Sequence, residues 1–212
     1  VQAALRLLQR GGNVGKVVVR VGQREPMEEE ERAPSLQTHL GLSHRQERRP
    51  DLGKLVCLGI DTERGIAVLE LHDPQRFNTM TWAQGDDMSI AVSHMRRVCG
   101  IRLLTLQGAG SVFCAGGNPY GSSGPSSLAA SSRHLIESFQ GFVNMRDLQV
   151  PITSALHGAM VGGAAAIFLH TEWSITERET TFQQGNLSRG VCTDAGYSRT
   201  LQAAVGTPNA CG

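Results

Sequence analysis

Two short stretches carry the residue types and spacing best suited to chemistry: Gly158-Ala-Met-Val-Gly-Gly163-Ala-Ala-Ala166-Ile-Phe-Leu169 and, earlier, Phe113-Cys-Ala-Gly-Gly117-Asn-Pro-Tyr120. Each follows an apolar run that reads as a buried strand, Leu103 to Leu106 for the earlier one and Ile152 to Leu156 for the later. Small residues in such turns leave backbone N–H groups bare, and a missing Cβ lets a ligand or another backbone come close. An Ala-rich helical pattern follows the second turn, so a helix starting near Gly163 would point the positive end of its dipole at whatever lies in front. Two N–H donors aimed at one oxygen make an oxyanion hole, which stabilises a carbonyl oxygen as it gains negative charge.

The elements that would position these turns follow from periodicity. Strands are expected at Leu55 to Ile60 and Gly65 to Leu71, separated by the turn Asp61-Thr-Glu-Arg64. After the loop Arg76-Phe-Asn78, Thr81 is placed to cap a helix from Trp82 to Cys99, with Met88, Ala91, Val92, Met95 and Val98 on one apolar face. Ile101 to Leu106 then reads as a buried parallel strand. Gly121-Ser-Ser-Gly-Pro-Ser-Ser127 is a loop, and Ser126 or Ser127 would cap a helix reaching about Asp147, with Leu128, Leu135, Ile136, Phe139 and Phe142 inward. A strand from Ile152 to His157, the Ala164 helix and a strand from Trp173 to Thr176 continue the repeated strand–turn–helix pattern. The expected class is therefore α/β.

These residues resemble a known family. Arg76-Phe-Asn78, the helix from Trp82, Ile101-Arg-Leu-Leu-Thr-Leu-Gln-Gly108-Ala-Gly110, Phe113-Cys-Ala-Gly-Gly117, Val150-Pro-Ile-Thr-Ser-Ala-Leu-His-Gly158 and Val161-Gly-Gly163 recur in the order found in the enoyl-CoA hydratase/isomerase (crotonase) superfamily. The likeness runs from about Leu55 to Gly206. It implies a ClpP/crotonase-like spiral of ββα units and an acyl thioester whose carbonyl oxygen sits between the N–H of Gly117 and the N–H of Gly163. Ala115, Gly116, Gly162 and Asn186 are then expected against the substrate, with coenzyme A or phosphopantetheine as its carrier and no bound cofactor or metal.

The sequence departs from the family where hydration would need it. The family's hydratases use two glutamates to position water and shuttle its proton. Their positions here hold Ala166 and Asn186, neither of which exchanges a proton at neutral pH. Gly190-Val-Cys-Thr-Asp194-Ala-Gly196 resembles members that place an aspartate in the loop facing the substrate, and Asp194 would take a proton from the thioester if burial raised its pKa. Its alternative role is the N-cap of a helix from Ala195 to Ala204. Tyr120 is a second candidate donor, against an ordinary half-buried tyrosine. His157 closes a buried strand and is read as structural rather than catalytic, and Cys114 lacks a basic neighbour to activate it.

Composition narrows the setting. The 212 residues are 40% apolar, enough for a core, and the net charge of +1 gives no argument for nucleic acid or an anionic membrane surface as a partner. No run approaches the roughly 20 apolar residues of a membrane span. Cys57, Cys99, Cys114, Cys192 and Cys211 form no disulfide-like framework, which points to reduced thiols and a cytoplasmic setting.

Residues 1–21 pair a short amphipathic helix, Gly11-Gly12, and the strand-like Lys16-Val-Val-Val-Arg-Val21, and they resemble the tail of a medium-chain enoyl reductase domain; the alternative is a helix and strand that pack onto the main domain. Residues 22–54 read as a charged linker, with Glu28-Glu-Glu-Glu31 and Arg45-Gln-Glu-Arg-Arg49. Residues 55–212 would be the crotonase-like domain. A first residue of Val1 and a last of Gly212 lead us to expect a fragment lacking the family's C-terminal helices, which when present would build a homotrimer. Together these readings imply a modular polyketide synthase in which an acyl carrier protein presents the substrate. The competing expectation is a truncated domain with a structural or docking role.

Overall fold

The computed structural model describes residues 53–117, 139–184 and 195–211. The expected segment 1–21 and residues 22–52 of the expected linker 22–54 lie outside the described residues.

The described residues open on an antiparallel pair, β1 (Val56–Asp61) and β2 (Ile66–Leu71), in full register from Val56↔Leu71 to Asp61↔Ile66. Asp61 makes the turn by accepting Arg64 N–H at 2.9 Å. Helix α1 (Trp82–Met95) follows, and Thr81 Oγ1 accepts the Gln84 N–H at 3.2 Å as its N-cap. Met88, Ala91, Val92 and Met95 are buried along one face, as the periodicity predicts. The helix ends four residues short of Cys99. Arg97 N–H turns back to His94 O and Val98 N–H to Met95 O, tightening the chain so that it can re-enter the sheet. Val98 is left outside the helix and only half-buried.

Strand β3 (Leu103–Gly108) runs parallel to β2, two residues later than Ile101 to Leu106. The shift is set by the partner: Ile66 pairs with Leu103, and the N–H groups of Arg102 and Leu103 both go to Gly65 O. A helical stretch at 139–144 leads to a 3-10 turn, Met145–Asp147, and then β4 (Ile152–Leu156) adds parallel to β3. Next come β5 (Ala159–Val161), helix α2 (Gly163–Phe168), β6 (Trp173–Thr176) and β7 (Thr181–Gln183). Helices α3 (Tyr197–Val205) and α4 (Thr207–Cys211) close the described chain. The main sheet has the order β1-β2-β3-β4-β6, and β5 pairs with β7 in a second, parallel, two-stranded sheet.

This is the mixed α/β arrangement expected, with strand–strand–helix units visible in β1-β2-α1, β4-β5-α2 and β6-β7-α3. The core lies on one face of the main sheet, where Leu69, Leu104, Leu106 and Ile152 meet Met88 of α1, Phe113, Phe142 and Ile167, all fully buried. Each such side chain contributes about 1.5–3 kcal/mol by leaving water. Helix α2 is buried on both sides: Ala164 and Ile167 belong to the main core, whereas Ala165 and Ala166 cluster with Tyr197 and Ala204 of α3.

Candidate functional site

The site is built outward from a buried asparagine. Asn78, fully buried and at a φ of 54° for its neighbour Phe77 and 51° for itself, directs its Nδ2 at three backbone carbonyls: Ala109 O (2.7 Å), Val112 O (2.9 Å) and Phe113 O (3.2 Å). Its Oδ1 accepts the Asp73 N–H at 2.8 Å. One side chain thus fastens the loop before α1 to the segment leaving β3. Ala115 N–H then bonds Phe77 O (3.0 Å) and Met80 N–H bonds Gly116 O (2.8 Å), and Met80 forms an isolated parallel bridge to Gly117.

The second turn meets the first here. Gly116, at φ 91°, packs so closely on Val161 that an added Cβ would collide with the Val161 carbonyl oxygen. Gly162 adopts φ 52° and ψ −110°, a conformation open in practice only to glycine, and its N–H is fixed to Gln183 O of β7 at 2.9 Å. A Cβ built on Gly163 would lie 3.7 Å from the Gly117 nitrogen and 3.2 Å from Met80 Sδ. Among the described residues, neither the Gly117 N–H nor the Gly163 N–H has an acceptor. The arrangement therefore presents two backbone donors from different turns within a few ångströms of each other, beside a flexible thioether.

Two side chains that could have been catalytic prove to be braces. The carbonyl of Gly110 can only accept, so His157 donates Nε2–H to it at 3.0 Å, while His157 O receives the Phe113 N–H at 2.9 Å. Burial holds its imidazole below the usual 6.5, against the opposing pull of the Gly110 bond and the charges of Glu177 and Glu70. Cys114 is fully buried, its Sγ takes the Gly116 N–H at 3.4 Å, and burial pushes its thiol up to about 12. It is no nucleophile near neutral pH.

Of the expected site residues, Ala115, Gly116, Gly117, Gly162 and Gly163 come together, and none carries a metal-ligating side chain. Tyr120, Asn186 and Asp194 lie outside the described residues. The alternative role for Asp194 is corrected: α3 begins at Tyr197, with Gly196 at φ 69° as its N-cap and Ala195 at φ 49°, so Asp194 stands two residues before the cap position. The left-handed Ala195 and Gly196 delay the start of the helix to Tyr197, two residues later than the sequence suggests. Sequence reasoning did not foresee the contacts of Met80, Val161 and Gln183 that join the turns, because backbone-to-backbone contacts leave no residue-type signal.

A family model described as enoyl-CoA hydratase/isomerase matches residues 61–212, well over half of the chain. The chain belongs to the enoyl-CoA hydratase/isomerase family. Among curated relatives of this family member, the 1,2-epoxyphenylacetyl-CoA isomerase of Escherichia coli (strain K12) is 27% identical over 153 residues, covering 71% of this chain and 58% of the isomerase. A probable enoyl-CoA hydratase of Mycobacterium tuberculosis is 24% identical over 151 residues, with the same two coverages. The chain thus spans 58% of the length of these relatives. An enoyl-CoA hydratase of Mycobacterium smegmatis superposes with a TM-score of 0.67 at 20% identity, over 74% of this chain and 60% of that one. A candidate enoyl-CoA hydratase from Thermobifida fusca YX, crystallised in complex with acetoacetyl-CoA, gives 0.66 at 19% identity, over 74% and 64%. The fold of this family member is therefore that of its solved neighbours.

Proposed function

We propose that the chain binds an acyl thioester and stabilises its enolate, with the carbonyl oxygen held between the N–H groups of Gly117 and Gly163. The observation that carries this reading is the approach of those two amides, neither with an acceptor among the described residues. A preorganised donor pair is worth most where charge develops, because it needs no reorganisation as the enolate forms. The crystallised relative holding acetoacetyl-CoA supports a thioester as ligand.

Ala166 supports the rest of the reading. Its methyl is buried in the cluster with Tyr197 and Ala204, so no carboxylate stands there to position water. Hydration of an enoyl thioester is accordingly not the proposed reaction. Decarboxylation of a β-branched intermediate needs the enolate hole without a glutamate pair; a double-bond shift needs one base, and dehydration, which is hydration reversed, needs an acid and a base other than those glutamates. In the isomerase case Asp194 is the proposed base, with Tyr120 as a further donor and Asn186 beside the substrate. The resemblance of residues 1–21 to a reductase tail supports a polyketide-synthase setting and an acyl carrier protein as the bearer of the thioester. Ala166 and Asn186, standing where the family's hydratases carry glutamates, also leave room for a second reading, in which the fold serves as a docking unit without turnover.

The test is α-proton exchange. The protein is incubated with a saturated acyl-pantetheine thioester in heavy water, and deuterium uptake is followed by mass spectrometry. Proline at Gly163 removes the N–H at the first turn of a helix, a position that tolerates it. Uptake lost in Gly163→Pro supports the hole, and its loss in Asp194→Ala supports the base. A folded chain that binds no acyl-pantetheine refutes the reading, whereas binding without exchange or decarboxylation favours the docking role.

A further inference from the structure

A second cluster of reactive side chains lies away from the glycine turns. Cys57 of β1 and Glu70 of β2 are in register across the antiparallel pair, and side chains alternate along a strand, so His72 stands on the same face as Glu70. The pairing continues past the strand end, since His72 N–H bonds Leu55 O at 2.8 Å. Glu70 is 1% exposed and Cys57 9%, while His72 is about one-third exposed. Glu70 Oε1 lies 2.9 Å from His72 Nδ1, and Oε2 accepts Gln107 Nε2–H at 2.7 Å from the neighbouring strand β3. Cys57 Sγ, a Glu70 oxygen and a His72 ring nitrogen all lie within 4.8 Å of one another.

We propose that Cys57, Glu70 and His72 form a binding site for a zinc-class divalent cation that ties β1 to β2. A thiolate, an imidazole and a carboxylate are the donor set that zinc prefers over magnesium or calcium. At zinc's bond lengths, tetrahedral donors stand about 3.5 Å apart, which small side-chain adjustments reach from the present spacing. On binding, the Cys57 thiol gives its proton to solvent, and the thiolate and carboxylate together cancel the charge of the ion. The cation answers a physical need. A carboxylate buried as deeply as Glu70 is costly unless paired, and among the described residues its ion-pair partner is one histidine about one-third exposed. Gln107 occupies Oε2 and so orients Oε1 toward the ion, the usual part of a residue behind a metal ligand. The exposed side of His72 provides the entry path and room for water as a fourth ligand.

Titration of the purified full chain with Co²⁺ tests this. The expected result is a thiolate-to-cobalt charge-transfer band that saturates at one equivalent and is bleached by Zn²⁺. The band should be absent from Cys57→Ser. Affinity should fall at least 10-fold in His72→Asn and 10- to 100-fold in Gln107→Leu. If Cys57→Ser fails to fold by circular dichroism, His72→Asn decides. The proposal is overturned if no thiolate band develops, or if cobalt binds the variants as tightly as the parent, which would place it on other cysteines. Acyl-pantetheine binding is expected to be unchanged in His72→Asn, which separates this site from the proposed thioester site.

Discussion

A Cβ on Gly116 would fall on the carbonyl oxygen of Val161, so the two glycine turns touch backbone to backbone with no side chain between them. Gly116 also sits at φ 91°, where an L-residue is strained. Gly116→Ala is therefore expected to lower stability by about 1–3 kcal/mol and to part the turns. Urea unfolding measures the first effect and acyl-pantetheine affinity the second, and a variant matching the parent in both would refute the contact.

Gly163→Ala should behave in the opposite way. Its backbone is helical, its N–H is kept, and the atoms nearest the added methyl are the flexible end of Met80 and the Gly117 nitrogen. Stability should hold or rise by up to about 1 kcal/mol, while thioester binding weakens because the methyl intrudes beside the amide. Loss of stability with binding intact would contradict the proposed placement of the oxygen.

Asn78→Ala removes the donor shared by Ala109 O, Val112 O and Phe113 O, leaving buried carbonyls unanswered. A loss of about 3 kcal/mol or more is expected, read as a drop in the denaturation midpoint at unchanged slope. Asn78→Asp should do no better, since a carboxylate cannot donate to those oxygens.

His157 gives the fold a pH dependence whose sign is fixed. Its folded-state pKa is below 6.5, so the unfolded chain binds the proton more readily. Its contribution is fully present above 6.5 and is lost as pH falls from there toward the folded value. Unfolding midpoints compared at neutral pH and below 6 should diverge in the parent. His157→Gln, which keeps an N–H for Gly110 O, should diverge less.

Cys114 should resist alkylation in the folded protein. Peptide mass spectrometry after brief iodoacetamide treatment near neutral pH is expected to find exposed Cys99 modified and Cys114 unmodified until denaturant is added.

Much of the scaffold was legible in the sequence, and the reason is periodicity. Thr81 capping α1, the buried row Met88, Ala91, Val92 and Met95, and the strand Trp173 to Thr176 each rest on local pattern, and each is found as expected. The glycine turns were legible as places, because few other residues tolerate the conformations of Gly116 and Gly162. Their junction was not. It depends on Met80 reaching Gly116 and on Gly162 reaching Gln183 of β7, pairings between distant backbones in strands too short to alternate. The start of α3 was misread because Asp194 is a good cap by type, whereas the left-handed Ala195 and Gly196 set the boundary.

The strand order has a kinetic consequence. Of the pairings in the main sheet, β1–β2 closes over a tight turn, while β2–β3, β3–β4 and β4–β6 are parallel and close across long intervening segments. Hairpins form in microseconds, whereas contacts between distant segments must first overcome the entropy of loop closure. Gly116 therefore waits for Val161, and the two amides reach their final spacing only after β4 has docked. During folding, the edge of β3 stays open until that moment, and an unpaired strand edge invites association with another chain. Refolding at high protein concentration should thus be where aggregation competes, before the glycine turns have met.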